Sequence, residues 1–257
     1  MQRHLVTYWP IANMGLTVPY YFDKQLGVSL NTAEGWGIVR LSDTSSPYTI
    51  SSNRETWIKD ASRSFAKNIG YDIADFLRTA NKTAAISIGV GCGFNEYNML
   101  LSYPSLDLTC TEFSEAILRR LQSVFEECTQ YRVLDMRRDP IPRLNDGIAI
   151  LCRVDNELSH DEWVRVFEQS QSDEILLVCC GEISIWRALC QIKDNFFKFK
   201  KGSFAGYKRT KTAIEALYSK SYDCLQKIEI GSLPAYWLRK KTKTDKMTPS
   251  TGRSAVR

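Results

Sequence analysis

From about residue 84 onward the chain alternates short apolar runs with amphipathic segments. Residues 84–88, 106–111, 131–135, 147–154 and 174–180 are strand-length and rich in Ile, Leu, Val and Cys. Between them, residues 95–102, 114–128 and 162–169 carry apolar positions at helical spacing. In the last of these, Trp163, Val166 and Phe167 share one face. The run 174–180 (EILLVCC) is apolar almost throughout, the pattern of a strand covered on both faces. Strand–helix steps in series predict a parallel sheet with helices on both sides.

The C-terminal part breaks this rhythm. Runs 225–230 and 235–240 are joined only by Gly231-Ser232-Leu233-Pro234. So short a connection makes an antiparallel hairpin, because a parallel crossover needs a dozen or more residues. The predicted fold class is therefore α/β: a doubly wound, mostly parallel seven-stranded sheet closed by an antiparallel C-terminal hairpin, with an N-terminal extension. Residues 1–50 mix aromatics with turn formers (Tyr8-Trp9-Pro10, Pro19-Tyr20-Tyr21-Phe22, Trp36) and predict short strands or an ordered extension. Ser51-Ser52-Asn53 offers an N-cap for a helix from Arg54, and a second helix is predicted over 73–79. The predicted organisation is an extension or lid over 1–60, the main domain over 61–241 and a disordered basic tail over 242–257.

The strand ends carry the candidate chemistry. The first apolar run stops in Gly89-Val90-Gly91-Cys92-Gly93, the second at Glu112 and the third at Asp135. Glycines after a strand let the backbone turn tightly and approach a ligand. The following helix start offers free N–H groups to an anion, and an acid closing the next strand can accept two ribose hydroxyls. The nicotinamide fingerprint G-x-G-x-x-G is absent: its sixth position is Phe94 counting from Gly89 and Glu96 counting from Gly91.

The G-x-G-x-G spacing, the two downstream acids and the closing hairpin resemble the class I S-adenosylmethionine-dependent methyltransferases, over roughly residues 62–241. This resemblance implies S-adenosylmethionine as cofactor. Gly89, Gly91 and Gly93 would wrap its methionine part, Glu112 would hold the ribose and Asp135 the adenine amino group, with Phe113 or Met136 flanking the adenine. One position departs from the superfamily pattern: Ser87 stands where an acid usually precedes the first glycine by two residues. Catalytic residues are expected after the fourth strand, in Arg153–Val154–Asp155–Asn156–Glu157–Leu158–Ser159–His160. Asp155 and His160 are the candidates there, ahead of Glu157. His160 could equally cap the helix that follows. The Asn/Asp-Pro-Pro-aromatic motif of amino-methylating nucleic-acid enzymes is absent, as is the Pro-Cys pair of cytosine C5 enzymes. Asp155-Asn156 resembles the ligand pair of metal-dependent O-methyltransferases, but that family places it after the next strand.

Composition adds less. The 257 residues are 44% hydrophobic and 25% charged, suited to one globular domain. Eight cysteines without C-x-x-C spacing and only two histidines give no zinc pattern, so no metal is expected, and the cysteines suit a reducing compartment. No signal sequence and no bilayer-length apolar run is evident, so a cytoplasmic location is expected. The net charge of +5 is concentrated in segments 193–211 and 237–257, over an acidic body. In 194–211, Phe196, Phe197, Phe199, Phe204 and Tyr207 are interleaved with Lys and Arg. That pattern fits either base stacking or aromatics packed inside with lysines in water. The leading functional reading is methyl transfer to an O or N atom of a small or medium-sized acceptor, an anionic one included. The alternatives are an RNA or DNA methyltransferase and a catalytically inactive methyltransferase-like binding protein. The oligomeric state is left open.

Overall fold

The structure is a computed structural model that describes residues 15–22, 29–30, 32–42, 48–198 and 203–242. The predicted tail from residue 243 and the aromatic side chains at 196, 197 and 199 lie outside the described residues. Five strands form the parallel part of the main sheet: β2 (Ala84–Ile88), β3 (Asp107–Glu112), β4 (Gln130–Val133), β5 (Gly147–Cys152) and β6 (Glu174–Val178). The hairpin β8 (Tyr222–Ile230) and β9 (Leu233–Lys240) completes it, giving the order β4-β3-β2-β5-β6-β9-β8. β9 runs antiparallel to both β6 and β8. The chain steps outward from β2 to β4, then returns to the other side of β2 as β5. That reversal opens a crevice at the carboxyl ends of β2 and β5, where doubly wound sheets bind ligands.

Strand periodicity divides the core into two layers. Ala85, Ile148, Ile150, Leu176 and Val178 face one side, against α2 (Arg54–Arg63), α3 (Ala66–Thr79) and α4 (Phe94–Ser102). Trp57, Ile69, Ile73 and Met99 are fully buried there. The intervening Ile86, Ile88, Ala149, Leu151, Ile175 and Leu177 face the other side, against α6 (His160–Gln169) and α8 (Lys211–Tyr218). A one-residue slip in any strand would exchange these faces, so the apolar alternation fixes the register.

Helix α2 begins where the sequence places it, with Asn53 Oδ1 accepting from Thr56 N at 2.9 Å. Helix α3 starts earlier than residue 73, at Ala66, and α5 (Glu115–Gln122) ends well before 128. The hairpin connection is tighter than the sequence reading. Gly231 and Ser232 alone form it, with φ of +54° and +65°, the backbone of a type I′ turn, while Leu233 and Pro234 belong to β9.

The region read as an extension holds β1 (Thr17–Phe22) and α1 (Ala33–Arg40), the latter capped by Thr32. After α7 (Ile185–Lys198) comes β7 (Ser203–Arg209), a strand inside the basic aromatic segment that the sequence pattern did not predict. It pairs antiparallel with β1 in a separate two-stranded sheet. Its partner strand lies far away in sequence, so local pattern did not reveal it. The basic aromatic reading changes accordingly. Arg209 is fully buried, and its two terminal nitrogens donate to the carbonyls of Asp155 and Leu158. Phe204 stacks edge-on with Tyr21 and Tyr207. Among the described residues no helix is long and apolar enough to cross a membrane.

Candidate functional site

At the end of β2 the backbone takes positive φ at Gly89 (+69°), Gly91 (+61°) and Gly93 (+72°). Only residues without a Cβ adopt this repeatedly at low cost. The turn is anchored by Gly89 N and Val90 N, which donate to the Thr111 carbonyl at 2.9 and 3.0 Å. The three glycines face different surroundings. A Cβ on Gly91 would lie 2.6 Å from the Arg40 guanidinium nitrogens, whereas one on Gly93 would meet Leu121 Cδ1 at 2.7 Å in the core. Gly89 and Gly91 line the cavity at the sheet edge; Gly93 instead turns the chain into α4.

Glu112 ends β3 and is almost fully buried. Its Oε2 accepts from Gly91 N at 3.1 Å and its Oε1 from Phe113 N at 3.0 Å. A carboxylate has about four lone-pair sites, so each oxygen can accept once more. Burial raises its pKa, while the nearby Arg40 charge and the backbone N–H groups oppose the shift. Beyond β4, Asp135 lines the same cavity and its Oδ1 accepts from Arg137 N at 3.0 Å. Phe113 and Met136 also lie on the cavity wall.

Ser87 and Glu96 meet beneath the turn, the hydroxyl donating to Glu96 Oε1 at 2.7 Å. Burial pushes Glu96 up to about 7, partly offset by the Ser87 hydrogen bond.

The loop after β5 distributes its polar residues unlike the sequence expectation. Asp155 is buried away from the cavity wall, its Oδ1 and Oδ2 accepting from Cys180 N at 2.9 Å and Gly181 N at 2.8 Å. It joins the ends of β5 and β6. His160 is the first residue of α6 and also lies off the wall. The cap is Ser159, in a capping box with Glu162. Burial and the Arg209 charge lower the His160 pKa. The acid on the wall is Glu157, whose Oε2 accepts from Trp36 Nε1 at 3.1 Å. Burial pushes Glu157 up to about 7; the Trp36 hydrogen bond and Arg40 pull the other way. Nothing in the local sequence separates Glu157 from Asp155. What separates them is the capture of the Asp155 carboxylate by the Cys180 and Gly181 N–H groups, while Arg209 holds the loop through the carbonyls on either side of Asn156–Glu157.

Helix α1 closes the space above. The Arg40 guanidinium carbon lies 4.4 Å from the Trp36 ring centroid, and Nη1 donates to Cys92 Sγ at 3.3 Å. The resulting cavity measures about 1130 Å³ and continues from the glycine turn past Glu157 to Tyr20, Tyr207 and Lys208. Small-molecule pockets span roughly 300–1,000 Å³, so this one has room for a nucleoside and a second molecule. Among the described residues no group of three or more His, Cys, Asp or Glu is placed to hold a metal ion.

No family model matches the chain, and no curated protein matches it in sequence. Solved structures do match. Mitomycin 7-O-methyltransferase aligns with a TM-score of 0.56 at 16% identity, covering 72% of this chain and 56% of the other. Human N-acetylserotonin methyltransferase, solved in complex with S-adenosylmethionine, aligns with a TM-score of 0.52 at 17% identity, covering 74% and 60%. The pyocyanin biosynthetic protein PhzM aligns at 0.51 and 14%, covering 68% and 55%. The chain thus spans somewhat over half the length of these proteins. Strand order, the reversed β9 and these alignments agree: the chain has the fold of the class I S-adenosylmethionine-dependent methyltransferases.

Proposed function

We propose that the chain is an S-adenosylmethionine-dependent methyltransferase acting on a hydroxyl or amino group of a small or medium-sized acceptor. The observation that carries this is one continuous cavity with a glycine turn and two strand-end acids at one end and the half-buried acid Glu157 at the other. The cradle fits the cofactor's shape and chemistry. Positive φ at Gly89 and Gly91 brings bare backbone to the wall, and Glu112 retains acceptor capacity for a ribose. Asp135 takes the adenine amino group, with Phe113 and Met136 flanking the ring. Gly93 serves by shaping the turn.

The bound cofactor supplies an electrophilic methyl group. The chain's part is to position the acceptor, exclude water and accept a proton. With its pKa near neutrality, Glu157 changes charge where a general base works best, and it can take the proton that a hydroxyl acceptor must lose. Trp36 fixes the orientation of that carboxyl, and α1 with Tyr20 and Tyr207 covers the chamber. Much of the acceleration in such a transfer comes from alignment alone. Lys208 and Arg153 on the wall offer charge to an anionic acceptor. The nucleic-acid alternative loses support, because Arg209 is internal and Tyr207 belongs to the cavity wall.

The test is incubation with S-adenosylmethionine tritiated in the methyl group, against a panel of phenols, aliphatic alcohols, amines and total RNA. Label in a small hydroxyl or amino compound supports the proposal. Label confined to RNA moves the reading to the nucleic-acid class. A folded protein that labels nothing and binds no cofactor is a methyltransferase-like binding protein.

A further inference from the structure

We infer that Arg40, at the end of α1, is the specificity residue for the carboxylate on the amino-acid end of the cofactor. The inference rests on the cofactor reading above and adds a residue from outside the main sheet that no motif marks.

The Arg40 guanidinium is held in place by its surroundings without its donors being filled. It sits directly over the glycine turn, within 2.6 Å of where a Gly91 Cβ would be. Trp36 holds it from one side at 4.4 Å. A guanidinium has five N–H donors, yet the hydrogen bond Arg40 makes goes to a thiol, Cys92 Sγ at 3.3 Å, a weak acceptor. Among the described residues it forms no ion pair, although Glu96, Glu112 and Glu157 are all near enough to feel its charge. A half-buried guanidinium with unused donors on a cavity wall matches a planar, two-oxygen anion, which it can hold with two parallel hydrogen bonds. The cofactor's amino-acid end carries such a group, and its nucleoside end does not.

Helix α1 also ties this recognition to the acceptor chamber. Trp36, which stacks on Arg40, donates to Glu157 at 3.1 Å. The residue that reads the carboxylate and the carboxyl that faces the acceptor are therefore held by one indole.

The experiment compares two ligands that share the nucleoside and differ at the far end: S-adenosylhomocysteine and 5′-methylthioadenosine, which lacks the amino acid. Each is titrated calorimetrically into the full chain, into Arg40→Met and into Arg40→Lys. The wild type should prefer S-adenosylhomocysteine by roughly ten- to a hundredfold, the range for a charge-assisted bidentate contact. Arg40→Met should lose most of that preference while binding methylthioadenosine within about twofold of wild type, as expected if only the far-end contact is gone. Arg40→Lys, which keeps the charge without the fork, should fall between. Unchanged preference in Arg40→Met overturns the inference, as does equal weakening of both ligands, which marks a role in holding the site's shape. If the wild type binds methylthioadenosine and prefers nothing, the inference fails while the nucleoside site stands. If it binds neither ligand, the cofactor reading fails and takes the inference with it.

Discussion

The Ser87 hydroxyl donates to Glu96 Oε1 at 2.7 Å, beneath the glycine turn. At the end of this strand methyltransferases of the class usually carry an acid. Here the carboxyl arrives one turn into α4, from a residue only 1% exposed. Its second oxygen has no hydrogen-bond partner. A buried carboxyl with one unsatisfied oxygen resists ionisation, which is why burial dominates its raised pKa.

Stability should therefore depend on Glu96. Its folded pKa, about 7, lies above the ordinary carboxyl value. Its stabilising contribution is complete below that ordinary value and is lost as pH rises toward and through about 7. Between pH 5 and pH 8 the wild type should lose roughly 1–3 kcal/mol on this account. Glu96→Gln, which stays neutral and can still accept from Ser87, should flatten part of that slope. Glu157 contributes in the same direction and keeps some of it. Denaturant unfolding across this pH range measures the slope, and identical slopes for the two proteins would refute the assignment.

Glu157 governs the second pH effect. Because its pKa is raised to about 7, methyl transfer to a hydroxyl acceptor should climb through neutrality as the carboxyl ionises. Glu157→Gln should lose that limb and about 10²-fold or more in kcat. Its affinity for S-adenosylhomocysteine should change little, since Glu157 lies beyond the glycine turn. A variant with the wild-type pH profile rules Glu157 out as the base.

Arg209 should matter for stability more than its place in a basic segment suggests. Its terminal nitrogens satisfy two carbonyls of the loop that presents Glu157. Arg209→Met leaves both without their donor and should cost about 2–4 kcal/mol in chemical unfolding. A cost below about 0.5 kcal/mol, the usual size for surface positions, would mean the clamp is dispensable.

How far the sequence reaches can be judged from particular residues. The strand ends at Ile88 and Glu112 were legible because buried parallel strands carry their own apolar pattern, with turn glycines following the first and an acid closing the second, whereas the run read to Val154 stops at Cys152. The antiparallel closure was legible from the length of one connection. Three things were hidden. Strand β7 is stabilised by β1, and no local window contains both. The supply of a carboxyl by Glu96 depends on how α4 packs over Ser87. The choice between Asp155 and Glu157 depends on which way a loop turns, and the peptide N–H groups of Cys180 and Gly181 decide that by capturing Asp155. Each of the three is set by packing between elements or by loop geometry, neither of which a local apolar pattern records.

The proposed function stands or falls on S-adenosylmethionine binding in the cavity at the glycine turn. Calorimetric titration with S-adenosylhomocysteine tests it most directly, on the wild type, on Glu112→Ala and on Gly91→Arg. The wild type should bind with micromolar affinity. Glu112→Ala should bind at least about tenfold more weakly, from the lost charged hydrogen bonds to the ribose. Gly91→Arg should not bind detectably, because a side chain at φ +61° would enter the space beside Arg40. No heat of binding from a folded wild type, or equal affinity in all three proteins, would contradict it.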